Sequence, residues 1–134
     1  MAARRTELVT ALALGAIALA GTALVARVDP HEPGHYPVCP LFALTGLYCA
    51  ACGGLRAVHD LAHGDLAGAW DMNPVLVLAV PVLLVAWLRW VRRAARHEPP
   101  RPARGTAAPL AVLVLLVVYS VLRNVPALAH WLAP

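Results

Sequence analysis

The 134-residue chain is 60% hydrophobic and 13% charged, whereas soluble globular domains carry about 25% charged residues. A soluble domain this small could not bury so much apolar surface, so the composition favours an integral membrane protein over a soluble globular one. All eleven basic residues are arginines, and they lie in short segments beside apolar runs rather than on a face interleaved with aromatic residues. The basic excess therefore indicates membrane topology and argues against nucleic acid as a partner.

Three apolar runs predict an all-α membrane protein with transmembrane helices at residues 7–28, 74–90 and 107–123. At a rise of about 1.5 Å per residue, such runs cross a hydrocarbon core of about 30 Å. Arg4 and Arg5 before the first run allow a signal peptide, but the run exceeds the roughly 7–15 residues of a signal h-region, and we expect an uncleaved helix. Pro81 predicts a kink in the second helix. Trp87 and Trp90 predict an interfacial anchor at its end.

The distribution of arginine predicts the orientation. Six arginines lie between residues 89 and 104, whereas Arg56 is the one arginine between residues 29 and 73. We therefore expect a basic cytoplasmic loop at residues 91–106, a cytoplasmic N-terminus and an extracytoplasmic C-terminus, in a multi-pass protein of the inner (plasma) membrane. Arg123, which ends the third run, is expected to snorkel to the headgroups. The expected partners are the lipid bilayer and another membrane protein.

Residues 29–73 form the predicted extracytoplasmic segment. Residues 36–55 carry no charge but are interrupted by several proline, threonine and glycine residues, namely Pro37, Pro40, Thr45, Gly46, Gly53 and Gly54. We expect an irregular stretch there, packed on the helices or dipping into the interface. Residues 55–69 predict a short interfacial helix, turned at Gly64-Asp65, in which Arg56 pairs with Asp60 four residues on.

Three cysteines stand in this segment with the spacing C-x9-C-x2-C. Thiols outside the cytoplasm tend to be oxidised, so one interpretation is a structural disulfide with one thiol left over. Cys49 and Cys52 also have the spacing of dithiol redox sites, with Cys39 as a resolving thiol. A helix beginning near Gly53 would stabilise a nearby thiolate through its dipole.

Zinc is the cofactor that the same cysteines allow. Three thiolates and one histidine make a tetrahedral set suited to zinc. The candidate ligands are Cys39, Cys49 and Cys52 together with His59, or with His35 or His63 in its place. His59 and His63 are otherwise interpreted as ordinary residues on the wet face of a surface helix.

The segment from Cys39 to Pro74 contains the pattern C-P, T-G-x-x-C-x-x-C-G-G-x-R, H-G-D-L and N-P. In this combination it resembles the bacterial DUF2752 family, small membrane proteins with a domain of unknown function. That family commonly has proline after the second cysteine and threonine before the arginine, where this chain has Ala50 and Leu55. The resemblance implies membrane residence and singles out the cysteines with Gly53, Gly54 and Arg56. It implies no reaction.

Three functions remain open on the sequence. The first is a non-enzymatic accessory or interaction component that presents the cysteine segment to a partner in the membrane. The second is a membrane thiol-disulfide redox protein using Cys49 and Cys52, and the third is a zinc-stabilised extracytoplasmic cap. Glu7 stands at the edge of the first predicted helix, and no acidic residue lies deeper in any of the three runs, so an ion pathway through the chain has no support.

Overall fold

The computed structural model describes residues 2–96, 98 and 105–134, with side chains from residue 6 onward in those ranges. In this part of the chain every regular element is an α-helix, as predicted. The helices are α1 (Ala2–Arg27), α2 (Pro40–Thr45), α3 (Gly54–Ala62), α4 (Leu66–Met72), α5 (Pro74–Ala95), α6 (Ala107–Leu122) and α7 (Pro126–Leu132). Arg101 and Arg104 of the predicted basic loop, and the side chains of Arg4 and Arg5, lie outside the described residues.

Helices α1 and α5 are long and apolar enough to cross a membrane. Residues Thr6–Arg27 and Pro74–Ala95 each give 22 helical residues, with mean hydropathies of 2.2 and 2.1. Only 11% and 0% of their most apolar windows are buried inside the protein, so their apolar side chains are left for lipid to cover. Helix α5 extends past the predicted residue 90 to Ala95, since Arg92 and Arg93 are favourable in the last turn of a helix.

The third apolar run forms a shorter helix. Helix α6 has 16 residues, which is about 24 Å at the α-helical rise. Helix α7 follows it after a sharp bend of 110°. Among the described helices the structure therefore offers two clear membrane spans, and a third if α6 and α7 together make one broken span.

Helix α1 packs against α5 through a small residue facing a large one. The Trp87 indole contacts Gly15 so closely that a Cβ there would collide with the ring. Its Nε1 donates a hydrogen bond to the carbonyl of Ala11 at 2.9 Å. The Trp87 ring therefore lies in the contact between two helices, where small residues let membrane helices approach.

Residues 29–73, which we name the cap, contain three short helices. Helix α2 lies inside the stretch that we expected to be irregular. Pro40, expected to break helical structure, instead begins α2, because a proline at the first helical position loses no intrahelical hydrogen bond. The predicted turn at Gly64-Asp65 is confirmed, since Asp65 caps α4 by accepting a hydrogen bond from the Gly68 amide at 2.8 Å.

One end of each long helix meets the cap. The last turn of α1 contacts α3, where His59 Nδ1 lies 2.9 Å from the Val25 carbonyl. Helix α5 begins directly after α4, with Asn73 as its N-cap. Arg123 at the end of α6 reaches the carbonyl of Cys52. The C-terminus of α1, the N-terminus of α5 and the C-terminus of α6 therefore lie on the same side of the molecule.

Candidate thiol site

The three cysteines predicted as a site lie together. The Sγ of Cys49 is 3.5 Å from the Sγ of Cys39 and 3.4 Å from the Sγ of Cys52. All three sulfur atoms lie within 4.8 Å of one another, and all three thiols are free. Cys49 is therefore the shared neighbour of the other two.

A tight turn before α3 places Cys49 and Cys52 beside each other. The Cys52 amide donates to the Cys49 carbonyl at 3.2 Å, and the Gly54 amide donates to the Ala51 carbonyl at 2.9 Å. The turn ends at Gly53, which has a φ of 75° and is the N-cap of α3. The helix thus begins where the sequence predicts it to begin, directly after the second cysteine of the pair.

Gly53 is predicted to tolerate no side chain. A Cβ there would lie 2.5 Å from the Met72 carbonyl oxygen, and the positive φ disfavours any L side chain by about 1–2 kcal/mol. We expect Gly53→Ala to lower the free energy of unfolding by about 1–3 kcal/mol more than Gly64→Ala, because overpacking adds to the backbone cost. Gly64 is the matched control, since it has a φ of 81° and nothing within 4 Å of its Cβ position. Equal losses for the two variants, measured by thermal unfolding in detergent, would contradict this packing.

Arg123 closes the cysteine turn from the far end of the chain. Its side chain is fully buried, at 0% exposure. Nη1 donates to the carbonyls of Cys49 at 3.0 Å and Cys52 at 2.8 Å, and Nη2 donates to the Met72 carbonyl at 3.3 Å. The predicted snorkelling of Arg123 is wrong, because the turn leaves carbonyl groups without helical partners and the guanidinium satisfies them.

Aromatic rings cover the same guanidinium. Its Cζ lies 5.1 Å from the Tyr119 ring centroid and 5.9 Å from that of Tyr48, within the range of cation–π attraction. Nε is buried and has no hydrogen-bond partner among the described residues. The positive charge of Arg123 is thus held by backbone carbonyls and π faces behind the thiol cluster.

Asn73, at the start of α5, donates hydrogen bonds to the cysteine turn. It is 2% exposed, and Nδ2 donates to the carbonyls of Ala50 at 2.9 Å and Cys52 at 3.2 Å. Oδ1 accepts from the Leu76 amide at 3.0 Å and from the Tyr119 hydroxyl at 3.4 Å. One side chain therefore caps α5 and holds the cysteine turn.

Asn124 adds a third connection. Its Oδ1 accepts from the Tyr48 amide at 2.9 Å, and its Nδ2 donates to the Tyr48 carbonyl at 2.8 Å. The residue before Cys49 is thereby fixed through both of its backbone groups. Our sequence reasoning did not select Asn124, nor did it give Asn73 a role beyond the family pattern. The available signal was a polar Arg-Asn pair directly after sixteen residues of apolar helix.

The three thiols have different environments. The backbone amide of Phe42, followed by the thiol of Cys49, lowers the pKa of Cys39 to about 7. Burial raises the pKa of Cys52 to about 11. The expectation that the start of α3 would stabilise a thiolate is therefore wrong for Cys52, because the loss of water outweighs the nearby amides.

This asymmetry predicts a pH profile for alkylation. A pKa of about 7 for Cys39 means that its thiolate fraction, and hence its alkylation rate, rises from about one tenth of its maximum at pH 6 to about nine tenths at pH 8. Cys52 should react slowly throughout this range, because it stays protonated. Site-resolved mass spectrometry after brief iodoacetamide pulses measures both rates. A flat profile for Cys39, or faster labelling of Cys52, would be inconsistent with these environments.

The thiols open into a cleft of about 710 Å³, whose lining includes Tyr36, Cys39, Tyr48, Cys49, Cys52 and Arg56. The predicted pairing of Arg56 with Asp60 does not form. Its Nε donates instead to the Pro30 carbonyl at 3.3 Å, while an Asp60 oxygen lies 3.6 Å from Nε2 of His31. Arg56 thus ties the wall of the cleft to the loop after α1.

The candidate histidine ligands lie apart from the thiol cluster. Among the described residues, the group of metal-type ligands around the sulfurs contains no histidine, and His59 is grouped with Asp29 and His31. His35 lies 3.6 Å from Glu32. His63 Nδ1 lies 2.8 Å from the His59 carbonyl. The structure therefore does not bring His59 to the three sulfurs, because its ring turns toward the end of α1.

Comparison with known proteins places this site in a recognised segment. Residues 39–87 match the family model described as "Protein of unknown function (DUF2752)". No match was found among curated proteins or among solved structures. The matched segment contains the three cysteines, Asn73 and most of α5. The match to this family model confirms the resemblance predicted from the sequence.

Proposed function

We propose that this chain is a three-span membrane protein that carries out thiol-disulfide exchange at the extracytoplasmic membrane surface. One observation supports this proposal most directly, namely that Cys49 Sγ lies 3.5 Å from Cys39 Sγ and 3.4 Å from Cys52 Sγ. A thiol with two neighbours at similar distances forms a disulfide with either of them after a small movement. The cluster is therefore suited to passing a disulfide from one cysteine to the next.

The chemical step begins at Cys39, which is partly exposed and has the lowered pKa. Its thiolate attacks a disulfide of a partner protein in the cleft, forming a mixed disulfide and releasing one partner thiolate, which takes up a proton. Cys49 then attacks the Cys39 sulfur, releases the second partner thiol and leaves a Cys39–Cys49 disulfide. Two electrons pass from the cap to the partner.

Cys52 serves as a reserve thiol in this scheme. Attack of its thiolate on Cys49 moves the disulfide to Cys49–Cys52 and releases Cys39 as a thiolate. This transfer is slower, because burial raises the pKa of Cys52 to about 11. A second exchange then requires an external dithiol that reduces the Cys49–Cys52 disulfide. The roles differ from the sequence hypothesis, in which Cys49 and Cys52 reacted and Cys39 resolved.

The proposal places the cap outside the cytoplasm. The arginine distribution supports this side. The meeting of three helix ends at the cap supports three antiparallel spans. Thiol-disulfide chemistry is also favoured in oxidising compartments. On intact cells, a membrane-impermeant maleimide should label Cys39. Labelling that appears only after lysis would put the cap in the cytoplasm.

The exchange reaction is tested on the full chain purified in detergent, reduced, freed of reductant and mixed with a model disulfide peptide. The wild type should release two peptide thiols per chain. Cys49→Ser should release one and retain a peptide adduct on Cys39, whereas Cys52→Ser, the matched control, should still release two. Release that is absent from the wild type, or unchanged in Cys49→Ser, would contradict the proposal and favour the non-enzymatic accessory role.

A zinc-binding cap is the second candidate. The three sulfurs lie within 4.8 Å of one another, and a tetrahedral zinc with bonds of about 2.3 Å needs sulfurs about 3.8 Å apart. The fourth ligand would be water or a group in the cleft. Stoichiometric zinc that protects all three thiols from alkylation until a chelator is added would favour this function.

A further inference from the structure

We propose that Asp29, His31 and His59 form a second site on the cap, which binds a divalent transition metal such as zinc independently of the thiols. Asp29 and His31 lie in the loop after α1, and His59 lies on α3. Their ligand atoms lie within 4.8 Å of one another. Nitrogen and oxygen donors of this kind suit zinc and neighbouring first-row metals.

The three atoms that would bind the metal are close to the spacing that a metal requires. Asp29 Oδ1 lies 2.9 Å from His31 Nδ1 and 3.8 Å from His59 Nε2. Ligands at about 2.0–2.1 Å in a tetrahedral zinc site are about 3.3 Å apart. The two distances lie on either side of that value, so small side-chain rotations would complete the site.

In each histidine, the ring nitrogen that would not bind the metal faces a hydrogen-bond acceptor. His59 Nδ1 lies 2.9 Å from the Val25 carbonyl, which sets Nδ1 as the donor and leaves the lone pair of Nε2 facing Asp29. His31 Nε2 lies 3.6 Å from Oδ1 of the buried Asp60. Metal-binding histidines characteristically give their other N–H to a carboxylate or a backbone carbonyl. Both kinds of outer partner are thus already in place.

The backbone also prepares the site. The His31 amide donates to Asp29 Oδ1 at 2.8 Å, which fixes the carboxylate at the start of the loop. The side chains of His31 and Asp29 are 39% and 42% exposed, whereas that of His59 is 15% exposed. Three protein ligands with an open side leave a fourth position for water. A bound metal would fasten the loop after α1 to α3.

Binding of Co²⁺ to the full chain in detergent, after chelator treatment and under reductant, separates this site from the thiols. Coordination by nitrogen and oxygen gives weak visible bands, whereas thiolate coordination adds intense near-ultraviolet bands. We expect the weak visible bands to persist in Cys39→Ser and in the matched control His130→Gln, and to be lost in His59→Gln and His31→Gln. His31 lies in an exposed loop, so that variant should fold normally.

Asp60, which lies behind His31 rather than among the three ligands, allows a graded test. Asp60→Asn should weaken Zn²⁺ affinity about 10–100-fold without changing stoichiometry, because it replaces the carboxylate behind His31 with a neutral amide. Zn²⁺ competition against a chromophoric chelator measures this change. Affinity unchanged in both His31→Gln and His59→Gln, or a Co²⁺ spectrum lost only in the cysteine variant, would overturn the proposal.

Discussion

Replacing Arg123 with methionine is expected to lower the free energy of unfolding by about 3 kcal/mol. The substitution leaves the carbonyls of Cys49, Cys52 and Met72 without their charged donor, and hydrogen bonds to charged groups contribute about 1.5–3 kcal/mol each. The expected loss of stability is smaller than the sum of the three hydrogen-bond contributions, because the variant avoids the cost of burying the arginine charge.

The measurement is thermal unfolding in detergent, followed by the exposure of Cys52 to a thiol-reactive dye. Arg123→Met should lower the unfolding midpoint and expose Cys52 to the dye below that midpoint. Arg27→Gln is the matched control, since Arg27 ends α1 and is exposed. Unchanged protection of Cys52 in Arg123→Met would show that the guanidinium does not hold the turn.

Replacing Asn73 with alanine should lower the free energy of unfolding by about 2–3 kcal/mol. The loss of the N-cap of α5 costs about 1 kcal/mol, and the Ala50 carbonyl, which loses the Nδ2 donor, costs about 1–3 kcal/mol when left unpaired. Asn73→Ser keeps a capping oxygen but cannot reach both carbonyls. It should therefore recover about 1 kcal/mol. Equal midpoints for the alanine and serine variants would argue against a capping role.

The long apolar helices could be predicted because their signal is local. The uncharged run within α1 is about as long as the hydrocarbon core is thick, the run within α5 is somewhat shorter, and no distant contact is needed to identify either. The proline and glycine pattern of the cap was harder to interpret. Pro40 both interrupts one helical stretch and begins another, and only the neighbouring turn decides which effect prevails.

The thiol site could be predicted only in part. The spacing of Cys49 and Cys52 identifies a pair in one turn, but the approach of Cys39 depends on how α2 folds back. Arg123 donates to carbonyls 71 and 74 positions earlier in the chain. A charged residue at the end of an apolar helix is expected at the membrane interface, and only the carbonyls left by the cysteine turn make its burial favourable.

The proposed function depends on Cys49 as the thiol that both Cys39 and Cys52 share as a neighbour. Disulfide mapping by mass spectrometry, after mild oxidation of the three single cysteine-to-serine variants in detergent, tests it most directly. We expect a Cys49–Cys52 bond in Cys39→Ser, a Cys39–Cys49 bond in Cys52→Ser and little intramolecular bond in Cys49→Ser. A Cys39–Cys52 bond forming in Cys49→Ser as readily as the other two bonds would contradict it.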